Sequence, residues 1–174
     1  MIAGAGRLAA ATLLLALGAC TTLAPPAPAD LAGRLAVRVE AHAGQPANSF
    51  SAQFDLRGNA QAGSLQLTTP LGTTAAQARW QPGLVELSTS EGTRRFPDLD
   101  ALGAEVLGQA LPMAALMDWL RGRAWPGAPS TAHGGGFAQL GWHVDLSRFA
   151  EGWVSAGREA APAVSVRARL ERPQ

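Results

Sequence analysis

The sequence predicts an α+β fold, a single curved antiparallel sheet whose apolar face is covered by helices. Three observations carry this prediction. From residue 33 onward, apolar residues recur at every second position in a series of short segments, the mark of half-buried strands. The connections between these segments are short and rich in Gly, Pro and Asn, as in a meander. Between residues 98 and 122 the apolar period becomes helical, then returns to two. Strands, a helical insertion and more strands make an α+β order, without the βα alternation of a parallel sheet.

The first strand is expected over Gly33–Glu40, with Leu35, Val37 and Val39 on one face and Arg34, Arg38 and Glu40 on the other. Ser49–Arg57 follows, with Phe50, Ala52, Phe54 and Leu56 inward, then Gly63–Thr69, with Leu65 and Leu67 inward. Thr73–Trp80 continues the pattern weakly. Gly83–Ser90 comes after the Gln81-Pro82-Gly83 turn, and Thr93–Phe96 after Glu91-Gly92. Asp98 is suited to cap a helix running to about Gln109, with Leu99, Leu102, Val106 and Ala110 on one face. Pro112 suits the first turn of a second helix that ends near Gly122. Its stripe is Met113, Leu116, Met117 and Leu120, with Trp119 beside it. Arg121 and Arg123 fall at its C-terminal end, where the helix dipole favours cations. After a Gly/Pro/Ser segment, Phe137–Leu146 is expected as one strand with Ala138, Leu140, Trp142 and Val144 on one face. Gly152–Ser155 is expected as a short strand. Ala163–Leu170 places Val164, Val166, Ala168 and Leu170 inward.

The N-terminus reads as a leader. Arg7 precedes an uncharged apolar run from Leu8 to Leu17, too short for the roughly 20 residues that span a bilayer. Leu17-Gly18-Ala19-Cys20 resembles the lipobox of bacterial lipoproteins. A signal peptide over residues 1–19, cleavage before Cys20 and lipid on its sulfur are therefore expected. Cys20 is the sole cysteine, so no internal disulfide is expected. Thr21 stands where aspartate retains such proteins in the inner membrane, which points to the outer membrane with the domain facing the periplasm. Residues 20–30 form a Pro/Ala linker, and the domain is expected over residues 31–172.

Fourteen basic residues stand against thirteen acidic ones. That balance argues against nucleic acid as a partner, since phosphate binding needs a basic surplus. His133-Gly134-Gly135-Gly136 resembles the oxyanion loop of some esterases, but Ser155 lacks the spacing of a nucleophile elbow. His42, His133 and His143 lack partners at metal-ligand spacing. No catalytic residue, metal or cofactor is expected beyond the covalent lipid on Cys20, and the chain is not expected to be an enzyme.

Two features invite a binding role. Phe50, Phe54, Leu65, Leu67 and Trp142 face inward from the sheet, and Met113, Leu116, Met117 and Leu120 face inward from the second helix. They fit either a filled core or an acyl-sized cavity, and methionine adapts to variable apolar guests. Thr68-Thr69-Pro70-Leu71-Gly72-Thr73-Thr74 is a polar turn with a leucine at its tip. Leu71 is expected to be exposed, either as an ordinary surface leucine or as a contact.

Several pieces, in order, resemble the LolB family of outer-membrane lipoproteins. They are Gly33-Arg34-Leu35-Ala36-Val37 soon after a lipidated cysteine, Phe50 and Phe54 on the second strand, and Pro70-Leu71-Gly72 after a strand ending in threonines. Leu111-Pro112 then opens a helix ending Trp119-Leu120-Arg121-Gly122, and Gln139-x-Gly141-Trp142-x-Val144 comes last. The resemblance covers about Leu31 to Leu170 and is weakest near Trp153. It implies a half-open barrel of about eleven strands with helices over its mouth. Its cavity would take the acyl chains of a client lipoprotein from LolA, the soluble periplasmic carrier, for insertion into the outer membrane. Leu71, with Pro70 and Gly72, would be the membrane-insertion loop. Leu35, Val37, Phe50, Phe54, Leu65, Leu67, Met113, Leu116, Met117, Leu120 and Trp142 would line the cavity. A monomer is expected. A structural lipoprotein and a lipid or glycolipid carrier of the same fold are the alternatives.

Overall fold

The computed structural model describes residues 30–107 and 111–171. The expected leader, Cys20 and the linker up to residue 29 lie outside the described residues, as does Ala110 of the first helix stripe. The described residues form β1 (Leu31–Val39), β2 (Asn48–Gly58), β3 (Gly63–Thr68), β4 (Thr74–Gln81), β5 (Leu84–Thr89) and β6 (Gly92–Phe96). Helices α1 (Leu99–Leu107) and α2 (Met113–Trp119) follow. The chain ends in β7 (Ser130–His133), β8 (Gly136–Gln139), β9 (Trp142–Asp145), β10 (Trp153–Arg158) and β11 (Val164–Leu170). All eleven strands lie in one sheet, ordered β6-β5-β4-β3-β2-β1-β11-β10-β9-β8-β7. Every pairing in it is antiparallel. Two meanders, one on each side of the helices in sequence, are therefore joined where β1 pairs with β11. The edges β6 and β7 do not pair with each other, so the barrel stays open.

The sequence pattern explains most of this. In β2, Ala52, Phe54 and Leu56 are buried while Ser51 and Gln53 are exposed. In β11, Val164, Val166 and Ala168 are buried between exposed Ser165, Arg167 and Arg169. Asp98 caps α1, its carboxylate accepting the Ala101 N–H at 2.7 Å. The first backbone N–H of α2, from Met113, is taken by Asp100 at 3.1 Å, so an acid in the first turn of α1 caps its neighbour. Arg121 donates to the Met117 carbonyl at 2.9 Å, satisfying the C-terminal end of α2. It also reaches the Gly58 carbonyl at 2.6 Å, which ties that end to the β2–β3 connection.

The expectation for Phe137–Leu146 needs correction. This segment is not one strand. It is β8 and β9 joined by a two-residue turn, Leu140-Gly141, with φ of 54° and 76°, and Gln139 pairs with Trp142. The turn switches parity, so Phe137 and Gln139 face inward on β8 while Trp142 and Val144 do so on β9. Ala138 therefore faces the other way from Trp142. The glycine run His133–Gly136 closes another hairpin, β7–β8. The strand expected at Gly152–Ser155 extends to Arg158 and pairs with both β9 and β11.

The covering layer is fastened to the sheet chiefly at one point. Gln139 is 2% exposed. Its Oε1 accepts from Trp119 Nε1 and from the Trp125 N–H, each at 2.9 Å. Its Nε2 donates to the carbonyls of Trp125 and Ala128, each at 2.7 Å. Trp119, with no exposed surface, packs against Trp142 at 5.8 Å between ring centroids. Gln139→Leu would leave these partners without hydrogen bonds. It should destabilise the fold by about 3 kcal/mol or more, measured as a fall in the urea midpoint at unchanged slope.

Candidate functional site

A cavity of about 60 Å³ lies between the sheet and the two helices. Strands β1 to β5 supply its floor, through side chains such as Leu35, Phe50, Phe54, Leu56, Leu65, Leu67, Ala76, Ala78 and Leu87. The helices, with Leu111 just before α2, supply its roof, through Leu102, Gly103, Val106, Leu111, Met113, Leu116, Met117 and Leu120. Every described residue on this wall is apolar. Gly103 is required where α1 meets α2, because a Cβ there would stand 2.9 Å from Met113 Cγ.

A second, open recess of about 290 Å³ shares Phe50, Leu67, Ala76, Leu87 and Val106 with the cavity. Its outer rim adds Ala75, Thr89, Glu91, Arg94 and Glu105. The interior thus approaches solvent beside the β3–β4 turn. An ion pair between Arg94 of β6 and Glu105 of α1 crosses this rim.

Most of the expected lining residues come together on this wall, but two do not. Val37 lies on β1 at the centre of the sheet, buried between Val166 of β11 and Phe50 of β2, and does not reach the wall. Trp142 is covered by Trp119, and Arg158 stacks on its ring at 5.5 Å. For Trp142 the reason is the Trp119 indole, which packs on it and bonds Gln139 of β8, so this part of the concave face is filled and the free space lies over β1–β5. Leu56, Ala76, Ala78, Leu87, Leu102 and Val106 also reach the wall. Their signal was in the sequence, as the inward set of β2, β4 and β5 and the stripe of α1.

Leu71 is 93% exposed. Its turn is closed by Gly72 N–H to the Thr69 carbonyl at 2.9 Å and Thr69 N–H to the Thr73 carbonyl at 2.8 Å. Gly72 has φ of 84°, which favours glycine.

His133 of β7 and His143 of β9 meet edge to face across β8, which lies between their strands, 5.5 Å between ring centroids. Among the described residues, no three His, Cys, Asp or Glu side chains cluster as a metal site requires. Ser155 lies within β10, away from any strand-to-helix elbow. The titrating groups with displaced affinity lie on the outer face and the loops. The Ser147 hydroxyl and backbone N–H hold the Asp145 carboxyl below its usual range. Arg38 does the same for Glu40, and Arg148 for Glu151.

The family model described as outer membrane lipoprotein LolB matches residues 29–168. The chain belongs to the LolB family. An outer-membrane lipoprotein LolB of Bordetella petrii is 36% identical over 155 residues, 78% of this chain and 77% of the relative. The LolB of Bordetella pertussis is 34% identical over 67% of this chain and 62% of its own length. That of Chromobacterium violaceum is 32% identical over 72% of this chain and 67% of its own length. The family match ends within β11 and so takes in both meanders and both helices. Among the described residues, no helix is long and apolar enough to cross a membrane.

Ala78 tests the free space in this LolB-family interior. It is 3% exposed, paired with Leu65 and Leu87, and on the cavity wall. Ala78→Ile adds carbons to the void. Thermal unfolding should be unchanged or shifted upward by up to about 1 kcal/mol. Binding of a fluorescent fatty acid should fall about tenfold. A matched loss of stability and binding would mean that no space was free.

Proposed function

We propose that this protein is the outer-membrane receptor for lipoproteins, held by lipid on Cys20 with its domain facing the periplasm. It takes a client's acyl chains from a soluble LolA-like carrier and releases them into the outer membrane. The observation that carries this reading is a partly empty interior, apolar at every described residue, whose opening lies at the same end of the sheet as an exposed leucine, in a chain of the LolB family.

The physics calls for direct handover. An acyl chain of about sixteen carbons exposed to water costs on the order of 13 kcal/mol at ~0.8 per methylene. Release into water is closed at that cost, since each 1.4 kcal/mol is about tenfold in equilibrium. The chains therefore pass from cavity to cavity, mouth to mouth, toward the better fit and without nucleotide hydrolysis. The interior must widen to receive them. A void of roughly 150 Å³ is what a benzene ring needs, and this one holds about 60 Å³. The roof can move more cheaply than the sheet. The α1–α2 contact is Met113 against Gly103 with one hydrogen bond, from the Met113 N–H to Asp100, and the Arg94–Glu105 pair is largely exposed and therefore weak. Met113 and Met117 then repack around the guest. Leu71 enters the bilayer, contributing ~1.5–3 kcal/mol, and opens the way out.

The decisive experiment mixes the purified protein with loaded carrier and follows the client. It should change hands; a client that stays on the carrier rejects the reading. Leu71→Glu should still accept client but fail to deposit it in vesicles, and deposition at the normal rate would remove Leu71 from the mechanism. Binding of an uncharged acyl ester should not vary between about pH 5 and 8, because the described wall residues hold no titrating group. A titration of probe affinity against pH checks this.

A further inference from the structure

A second large apolar side chain, Leu140, stands exposed at a hairpin tip, and the insertion reading leaves it unused. It forms the β8–β9 turn with Gly141, both at positive φ. Two-residue turns of this kind favour Asn-Gly, because a side chain with positive φ crowds its own carbonyl. A bulky residue there is an outlier. Burial does not offset the strain, since Leu140 is 46% exposed. The similar turn at Ala43-Gly44 carries only a methyl group at this position.

Strand register places Leu140 and Leu71 at the same end of the sheet. His143 pairs with Gly157, Arg158 with Val164, Val164 with Val39, and Val39 with Asn48. Thr68, which leads into the Leu71 turn, lies across from Gln53, five residues further into β2 than Asn48, so the two tips share an end of the sheet and are staggered along the strands. The opening of the interior lies at this end too, through Thr89 and Glu91. Between β3 and β9 there are five strand spacings, about 24 Å along the sheet at ~4.8 Å each. The two leucines thus stand on opposite arms of the open barrel.

We propose that Leu140 is a second bilayer contact. The domain seats on the membrane by two leucines on opposite arms, which fixes its tilt so that the opening beside Leu71 faces lipid. One apolar contact leaves a tethered domain free to pivot in every direction; two restrict it to rotation about the line between them, which the tether at Cys20 limits further. Exposed Glu91 and Glu159 lie at this end, so the surface it fits is a zwitterionic one entered by apolar side chains. The inference rests on the reading of Leu71 as a bilayer contact.

The test uses the full lipidated protein in vesicles of phosphatidylethanolamine and phosphatidylcholine that carry nitroxide on their acyl chains. Cys20 is the sole natural cysteine, and its sulfur is taken up by lipid. A fluorophore is therefore placed separately through Leu140→Cys, Leu71→Cys and Gln61→Cys, the last in the β2–β3 connection at the opposite end. Labels at 140 and 71 should lose fluorescence to the nitroxide, and the label at 61 should not. Quenching at 71 without quenching at 140 overturns the proposal and leaves the Leu71 reading intact. Quenching at neither overturns both. Quenching at 140 alone, or at all three, removes the two-leucine seat. Leu140→Asn, which suits the turn, separates contact from folding. It should raise the unfolding temperature and slow client insertion by about tenfold, the scale of one leucine losing most of its transfer into lipid. Insertion at the normal rate would overturn the role of Leu140.

Discussion

The side-chain amide of Gln139 is the point from which the rest of the structure is held. An open sheet with an apolar concave face has to be covered, and here the cover is a pair of short helices and a loop. Short helices have little stability alone. The four hydrogen bonds of Gln139 fasten Trp119 and the 125–128 segment to β8, and Arg121 fastens the end of α2 to the β2–β3 connection. All are made inside or at the border of an apolar layer, where an unmade partner is costly.

That fastening divides the interior into two halves of different character. Over β8–β11 the Trp119 and Trp142 rings, with Val144, Val154 and Val166, make a packed core. Over β1–β5 the cover is α1 and the start of α2, joined by Gly103 and Met113 and tied at the rim by an exposed ion pair. Under the proposed function the half over β1–β5 is the one that opens, with the C-terminal end of α2 held by Arg121. A receptor that has to widen for a guest and close behind it needs this division. A uniformly packed core would resist the guest, and a uniformly loose one would not hold a single fold.

Much of this was legible in the sequence because a half-buried strand and an amphipathic helix write their periods plainly. The inward sets of β1, β2, β3 and β11, the Asp98 cap and the exposed tip at Leu71 follow from residue pattern alone. The missed features have physical causes. β7 is exposed at every position, so it carries no alternation to read. The β8–β9 turn was hidden because Ala138, Leu140, Trp142 and Val144 mimic one strand across it, and a leucine stands where Asn or Gly would have marked the turn. The division of the interior was not legible, since no period says which inward residues face a void. Val37 and Trp142 were placed on the cavity wall for that reason. For Trp142 the deciding fact, the Trp119 indole filling that side, depends on a hydrogen bond between residues 119 and 139.

The central claim is that the loose half of the interior opens for an acyl chain while the packed half stays closed. The most direct measurement is methyl NMR of the protein titrated with a fatty acid bearing a nitroxide along its chain. The account predicts broadening of the Leu65, Leu116 and Met117 methyls, with those of Val144 and Val166 left sharp. Broadening confined to surface methyls, or none at saturating fatty acid, would contradict it.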